Sequence, residues 1–307
     1  ALSNRGGFGN AYSALFGYKP AYKINFKDTT GRSHSLMLPI YRIKGDTTRT
    51  PPIQPTPVLP RKARRQALHN MRSLQWDKAQ PLAVMELGTF AHGYRLRRFF
   101  RQSFKQLAQR RVPHLVIDLR GNGGGMVTYS NLLTKYVANR PFKIADSLYA
   151  LRRHSRYVRY RNERLATGLF MLFFMRKQKD GLYHFRYFER KYFKPKKKHH
   201  YNGDVYLLTG GNTFSAATLL AGALRPQANV TLVGEETGGS AHGNNAWLIP
   251  EVTLPQTKVK FRLPLFRLVL ANGAPPDGRG IQPEVEALPT TKALRQGADF
   301  KMDKVRE

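Results

Sequence analysis

The chain has 307 residues, 41% of them hydrophobic, enough for a full core in one large domain or two unequal ones, which excludes a disordered polymer. The absence of cysteine excludes disulfides, thiolate metal sites and a cysteine nucleophile. Lys and Arg number 52 against 19 Asp and Glu, a formal net charge of +33 that is far more than solubility requires. Such a balance reflects either a general basic bias or a polyanion nearby: an anionic membrane surface, acidic substrate segments or nucleic acid.

In chain order, Ala1-Leu2-Ser3-Asn4 shows no starting Met and none of the basic and apolar stretches of a signal peptide, so a cropped or processed precursor is expected. Residues 22–26 and 35–38 alternate apolar and polar side chains around a polar turn at 28–32, the pattern of a β-hairpin. Residues 1–45 thus read as the end of a small β-domain. Residues 46–80 carry Pro51, Pro52, Pro55, Pro57 and Pro60 ahead of a basic run at 61–65, which predicts an extended linker and a domain boundary.

From Pro81 the pattern becomes strand, helix, strand: apolar at 82–87, amphipathic at 95–110, apolar again at 114–119. Short apolar strands at 205–208 and 230–233 flank a helix pattern at 215–224. Strands alternating with helices predict an α/β core with largely parallel strands over 81–290, followed by a tail at 291–307. Residues 165–175 are nearly all apolar, yet about 11 residues fall short of the roughly 20 that span a membrane. They predict a buried helix, with Arg161, Arg164, Arg176 and Lys177 at its flanks leaving an interfacial membrane contact as the alternative. Residues 183–200 are basic and aromatic and predict a protruding hairpin or loop whose rings pack within the protein rather than stack on bases.

Three segments carry chemistry, and all would meet at the carboxyl ends of the strands, where open α/β folds gather ligands. The first is Asp118-Leu119-Arg120-Gly121-Asn122-Gly123-Gly124-Gly125, whose glycines permit positive φ and free backbone N–H groups for an oxyanion. It lacks the Lys-Ser/Thr ending of a phosphate loop. The second, Thr209-Gly210-Gly211-Asn212-Thr213-Phe214-Ser215, sets Ser215 at a helix start, where N–H groups and the macrodipole stabilise developing negative charge. Ser215 is either a nucleophile or an ordinary N-cap, a role open to Thr213 as well. The third runs from Gly234 through Glu235, Glu236, Gly238, Gly239 and Ser240 to His242. Its two carboxylates are either site groups or solvated charges. Asp277, at the start of Asp277-Gly278-Arg279-Gly280, either orients an imidazole or stabilises the turn.

Together "VIDLRGNGGG", "VYLLTGGNTFSAATLLAGAL", "VGEETGG" and "GRGIQPEVE" resemble, in order and spacing, the tail-specific (C-terminal processing) serine peptidase family over residues 80–290. The resemblance implies an α/β, crotonase/ClpP-like ββα core, with the N-terminal hairpin as a partial PDZ-like β segment. It makes Ser215 the nucleophile and gives oxyanion binding to the Ala216 N–H and the Gly123 and Gly124 loop. Ser240 occupies the position of the lysine in the serine/lysine branch, so the chain is nearer the GEETGG-loop and tricorn-core-like branch. That branch takes its histidine from upstream of the PDZ-like domain and an acidic residue at the position of Asp277. His34 does not match that histidine, and His242 and His92 are the alternatives within the chain.

The implied activity is a serine endopeptidase that cleaves proteins or peptides through an acyl-enzyme, with no metal or organic cofactor and with export to the cell envelope or secretion. The rival reading is a catalytically inactive peptidase-like scaffold with a basic binding surface. Nucleic-acid binding through the aromatic and basic residues at 183–192 is a third.

Overall fold

The computed structural model describes residues 21–27, 30–39, 60–77, 80–154, 158–161 and 164–307. The chain divides into two compact units, Ala1–Arg64 and Arg65–Glu307. In the first, β1 (Ala21–Lys27) and β2 (Ser33–Pro39) form the expected antiparallel hairpin, with Tyr22 opposite Leu38 and Phe26 opposite His34. The Phe26 and His34 rings stack with centroids 5.4 Å apart. The chain's first residues and the prolines at 51–57 lie outside the described residues.

The basic run at 61–65 is not an extended linker. It opens α1 (Arg61–Met71), which leads directly into β3 (Arg72–Trp76). Lys, Arg, Gln, Ala and Leu are strong helix formers, and behind Pro60 no Gly or Pro interrupts them until Met71. The core sheet therefore begins at residue 72 rather than 81. β3 pairs antiparallel with β4 (Leu82–Leu87), and buried Ser73 donates a 2.7 Å hydrogen bond to Glu86 across that pair.

Next come α2 (Leu96–Arg110), β5 (His114–Asp118), α3 (Val127–Val137), β6 (Ala145–Ala150) and α4 (Arg164–Phe174). They are followed by β7 (Arg176–Lys177), β8 (Tyr183–His184), α5 (Arg186–Glu189), β9 (Asp204–Thr209), α6 (Ala216–Leu224) and β10 (Val230–Gly234). The chain ends with β11 (Gly243–Asn244), β12 (Glu251–Thr253), β13 (Lys260–Arg262), β14 (Arg267–Leu270), β15 (Val285–Glu286), α7 (Thr291–Gln296) and α8 (Phe300–Arg306).

The main sheet has the order β15-β10-β9-β5-β4-β3, parallel throughout except at β3. Side chains alternate between its faces, and both faces are covered, so its strands read as continuous apolar runs. Leu115, Ile117, Val205, Leu207 and Leu232 join Phe100, Phe104, Leu133 and Leu220 in the larger core. Leu82, Val116, Leu208 and Val233 face Ala287 and Met302 on the other side. Residues 291–307 are thus not merely a tail, because α8 seals the second face.

A second sheet, β11-β14-β6-β8-β7, takes in residues 183 and 184, which therefore do not protrude. The rings around it pack as expected: Phe188 lies 4.4 Å from Trp247, and Lys196 sits over Tyr136. His184 holds this region together, with Nδ1 2.7 Å from Glu189 and Nε2 2.9 Å from Asp180. Glu189 also accepts the Leu148 N–H of β6 at 2.8 Å.

Partial burial opposes a charge on His184, but its hydrogen bonds to Asp180 and Glu189 outweigh that and raise its pKa above the ordinary value. A pKa raised on folding adds stability that is complete below the unfolded value, about 6.5, and is lost as pH rises through the folded one. Thermal unfolding at pH 6 and pH 9 should therefore show a loss of stability at the higher pH, and His184→Gln should flatten that difference. An unchanged slope in His184→Gln would refute the assignment.

Candidate active site

The loops that leave β4, β5, β9 and β10 converge at one end of the main sheet, as the strand pattern predicted. Buried Asn122 is their hub. Its Nδ2 donates to the Leu87 carbonyl at 3.0 Å, its Oδ1 accepts the Gly124 N–H at 2.9 Å, and its own carbonyl accepts the Phe214 N–H at 3.0 Å. One residue, through its side-chain amide and its main-chain carbonyl, thus joins the ends of three segments, and a buried amide left unpaired would cost about 1–3 kcal/mol. Sequence reasoning passed over Asn122 as a turn residue among glycines.

Ser215 ends the turn between β9 and α6 with φ 51° and ψ −120°. A non-glycine residue occupies that region at a cost of about 1–3 kcal/mol and stays there only where its neighbours fix it. Two backbones do so. A Cβ placed on Gly124, itself at φ 101°, would lie 2.7 Å from Ser215 Cβ and 3.0 Å from the Ala216 nitrogen. A Cβ on Gly239 would lie 2.1 Å from Thr218 Oγ1 and 3.3 Å from the Ser215 nitrogen. Both glycine loops therefore press directly against the serine.

Neither hydroxyl at the helix start plays the N-cap role. Ser215 makes no capping hydrogen bond. Thr213 Oγ1 instead donates to the Leu119 carbonyl at 2.9 Å and accepts the Gly210 N–H at 3.1 Å, which holds the turn in register with the first loop. Thr213 is committed to structure, whereas Ser215 Oγ has no hydrogen-bond partner among the described residues. It sits, partly exposed, at the N-terminus of a helix whose residues are all buried.

Of the three backbone groups expected at an oxyanion site, the Gly124 N–H is taken by Asn122 Oδ1. The N–H groups of Gly123 and Ala216 have no acceptor among the described residues.

The in-chain histidines lie in different places. His242 Nδ1 donates to the Ala274 carbonyl at 2.7 Å, which fixes the tautomer and leaves Nε2 as an acceptor. Its ring borders a groove with Gly222, Ala223 and Pro226. Gly222 is seven residues, or about 10 Å of helix, beyond Ser215. His92 is exposed on the loop after β4. That loop is bonded to the glycine loop: the Phe90 N–H donates to the Gly124 carbonyl at 2.8 Å, and Phe90 bridges Gly125.

Asp277 is exposed and accepts the Arg279 N–H at 2.9 Å through Oδ1, stabilising its own turn. No histidine of the described residues bonds it. Ser240 Oγ accepts the His242 N–H at 3.2 Å, a loop-shaping role.

Neither loop glutamate is a free solvated charge. Glu236 accepts the Gly280 N–H at 2.6 Å and pairs with Arg279 at 2.9 Å, tying the third loop to the Asp277 turn. The Gly280 hydrogen bond, helped by Gln282 and Arg279, holds its carboxyl below the usual carboxylate range. Glu235 pairs at 2.5 Å with Lys301, whose buried Nζ also donates to the Thr209 carbonyl at 3.0 Å. Lys301 rises from α8 beneath the second loop, a position nothing in the local sequence signals. Arg120 likewise bridges Asp118, at 2.6 Å, to the α8 cap residue Asp299, at 2.5 Å. The C-terminal helix is thereby locked to all three loops.

The profile of Peptidase family S41 matches residues 81–287, two thirds of the chain. The chain belongs to that family. Several solved structures are similar to this S41 chain. A protein from Parabacteroides merdae ATCC 43184, assigned as a peptidase, is 16% identical with a TM-score of 0.52, over 77% of this chain and 63% of its own. Mature CPAF complexed with lactacystin is 15% identical with a TM-score of 0.57, over 95% of this chain and 69% of its own. The photosystem II D1 C-terminal processing protease is 16% identical with a TM-score of 0.47, over 92% of this chain and 61% of its own. The S41 chain thus spans less than two thirds of the first two solved chains it matches here, those at 63% and 61%. At these identities the structural likeness shows the fold. A sequence comparison with curated proteins returned no match.

Proposed function

We propose that this S41 protein is a serine endopeptidase that cleaves proteins or peptides through an acyl-enzyme on Ser215. The observation that carries this reading is Ser215 itself: a strained φ of 51° at a helix N-terminus, with its hydroxyl uncommitted. Ser215 Oγ attacks the scissile carbonyl while a histidine accepts its proton and later delivers it to the leaving amine. The developing oxyanion is held by the Gly123 and Ala216 N–H groups, which have no acceptor among the described residues, while Gly124 positions the loop with its N–H on Asn122.

The base is a histidine rather than a lysine, since Ser240 stands at the lysine position. Of the in-chain histidines, the bonding of its loop to Gly124 favours His92, whereas His242 borders a groove farther along α6. Asp277 is the acidic partner of the base, its Oδ1 spent on Arg279 and its Oδ2 open to an imidazole. In the same reading the β1–β2 hairpin is the end of a PDZ-like peptide-binding domain, and the protein works in the cell envelope or outside the cell.

Labelling with a fluorophosphonate probe tests the assignment of the base. Loss of label in His92→Gln, but not in His242→Gln, would place the base on the loop after β4. Equal labelling of both variants and the parent would exclude both histidines and place the base elsewhere within residues 1–307, whereas labelling only of a form extended at its N-terminus would place it upstream. No labelling of the parent or of a form extended at its N-terminus would favour the inactive scaffold.

A further inference from the structure

The expectation that residues 165–175 are buried is corrected in a way that has a use. The helix α4 buries only one side, through Thr167 and Met171, with Met175 following. Its other side is exposed and apolar: Leu165 at 78%, Leu169 at 55%, Leu172 at 40%, Phe173 at 61% and Phe174 at 55%. The spacing is that of a helical stripe, and on a surface helix such a stripe normally carries charges. No charged residue occurs between Arg164 and Arg176, and the exposed charged side chains that follow are Arg176, Lys177 and Lys179, with Asp180 next to them held on His184.

A second element repeats this chemistry. The hairpin of β12 and β13 bridges to the segment just before α4 through Val252 and Arg161. Along its second strand exposed Lys258, Lys260 and Arg262 alternate with exposed Val259, Phe261 and Leu263. Large apolar side chains standing in water, each set beside cations, have the composition of a surface that meets acyl chains and anionic headgroups together.

We propose that α4 and the β12–β13 hairpin form an interfacial docking surface for an anionic phospholipid bilayer. Charge selects this occupant. A second copy of a chain with a net charge of +33 would bring the same basic rim against itself, whereas phosphate headgroups neutralise it. A bilayer also accepts an exposed apolar stripe without a matching groove. The contact is peripheral: among the described residues no helix is long and apolar enough to cross a membrane.

Co-sedimentation of the whole chain with phosphatidylcholine vesicles, with and without about a third phosphatidylglycerol, tests the proposal at low salt and near 0.5 M NaCl. Binding should require the anionic lipid and persist in part at high salt, where exposed charge attraction is screened beyond roughly 4 Å. L169S/F173S should weaken it about tenfold and remove the part that survives salt. R176E/K177E should weaken it about tenfold at low salt only. The substituted side chains are exposed, so both variants should keep the parent's circular dichroism. Three results would overturn the proposal: no binding to anionic vesicles, binding by L169S/F173S equal to the parent's, or an apolar stripe whose loss abolishes self-association but leaves vesicle binding intact.

Discussion

Ser215→Ala is expected to lower turnover of a protein substrate by at least about 10⁴-fold and to abolish covalent labelling, with the unfolding midpoint almost unchanged. Loss of a nucleophile removes the acyl-enzyme route altogether, and only oxyanion binding and substrate positioning remain. Stability is spared because alanine keeps the Cβ and with it the same backbone strain. Ser215→Gly separates the two effects. It should be equally inactive yet more stable by about 1 kcal/mol, since glycine holds φ 51° without penalty. Residual turnover within tenfold of the parent in Ser215→Ala would sink the assignment of the nucleophile.

Gly124→Ala is the second large effect, and it strikes fold and chemistry together. The new methyl would stand 2.7 Å from Ser215 Cβ and 2.8 Å from the Phe214 carbonyl, and the residue would have to keep φ 101°. The steric cost falls on backbone atoms, which cannot swing aside as a flexible side chain can. A loss of about 2–4 kcal/mol in denaturant unfolding is expected, together with a fall of about 100-fold in kcat from a displaced nucleophile. Gly123→Ala is the control, since a Cβ there meets nothing within 4 Å. Equal effects of the two substitutions would show that Gly124 does not form the wall behind Ser215.

Much of the main sheet was legible in the sequence because its strands are covered on both faces. Strands 82–87, 114–118, 204–209 and 230–234 are mostly apolar along their central residues for that reason. The convergence of the three glycine-bearing segments followed from parallel order alone. Residues 61–76 were misread because nearby prolines and a run of like charges mask a helix former's composition, and because the pairing of β3 with β4 is settled across the sheet. The stripe on α4 was misread for a related cause: an apolar run has the same appearance whether a neighbour covers it or not.

What the sequence by itself determined is the α/β pattern and the S41 motifs, Ser215 among them, since each is written in local residue types and their spacing. Only the tertiary structure decided which groups around that serine are free. Asn122 takes the Gly124 N–H, Thr213 turns to Leu119, and Lys301 arrives from the far end of the chain to hold Glu235. The bonds of Thr213 and Lys301 join residues 94 and 66 positions apart, and their geometry exists only once the sheet has brought the loops together.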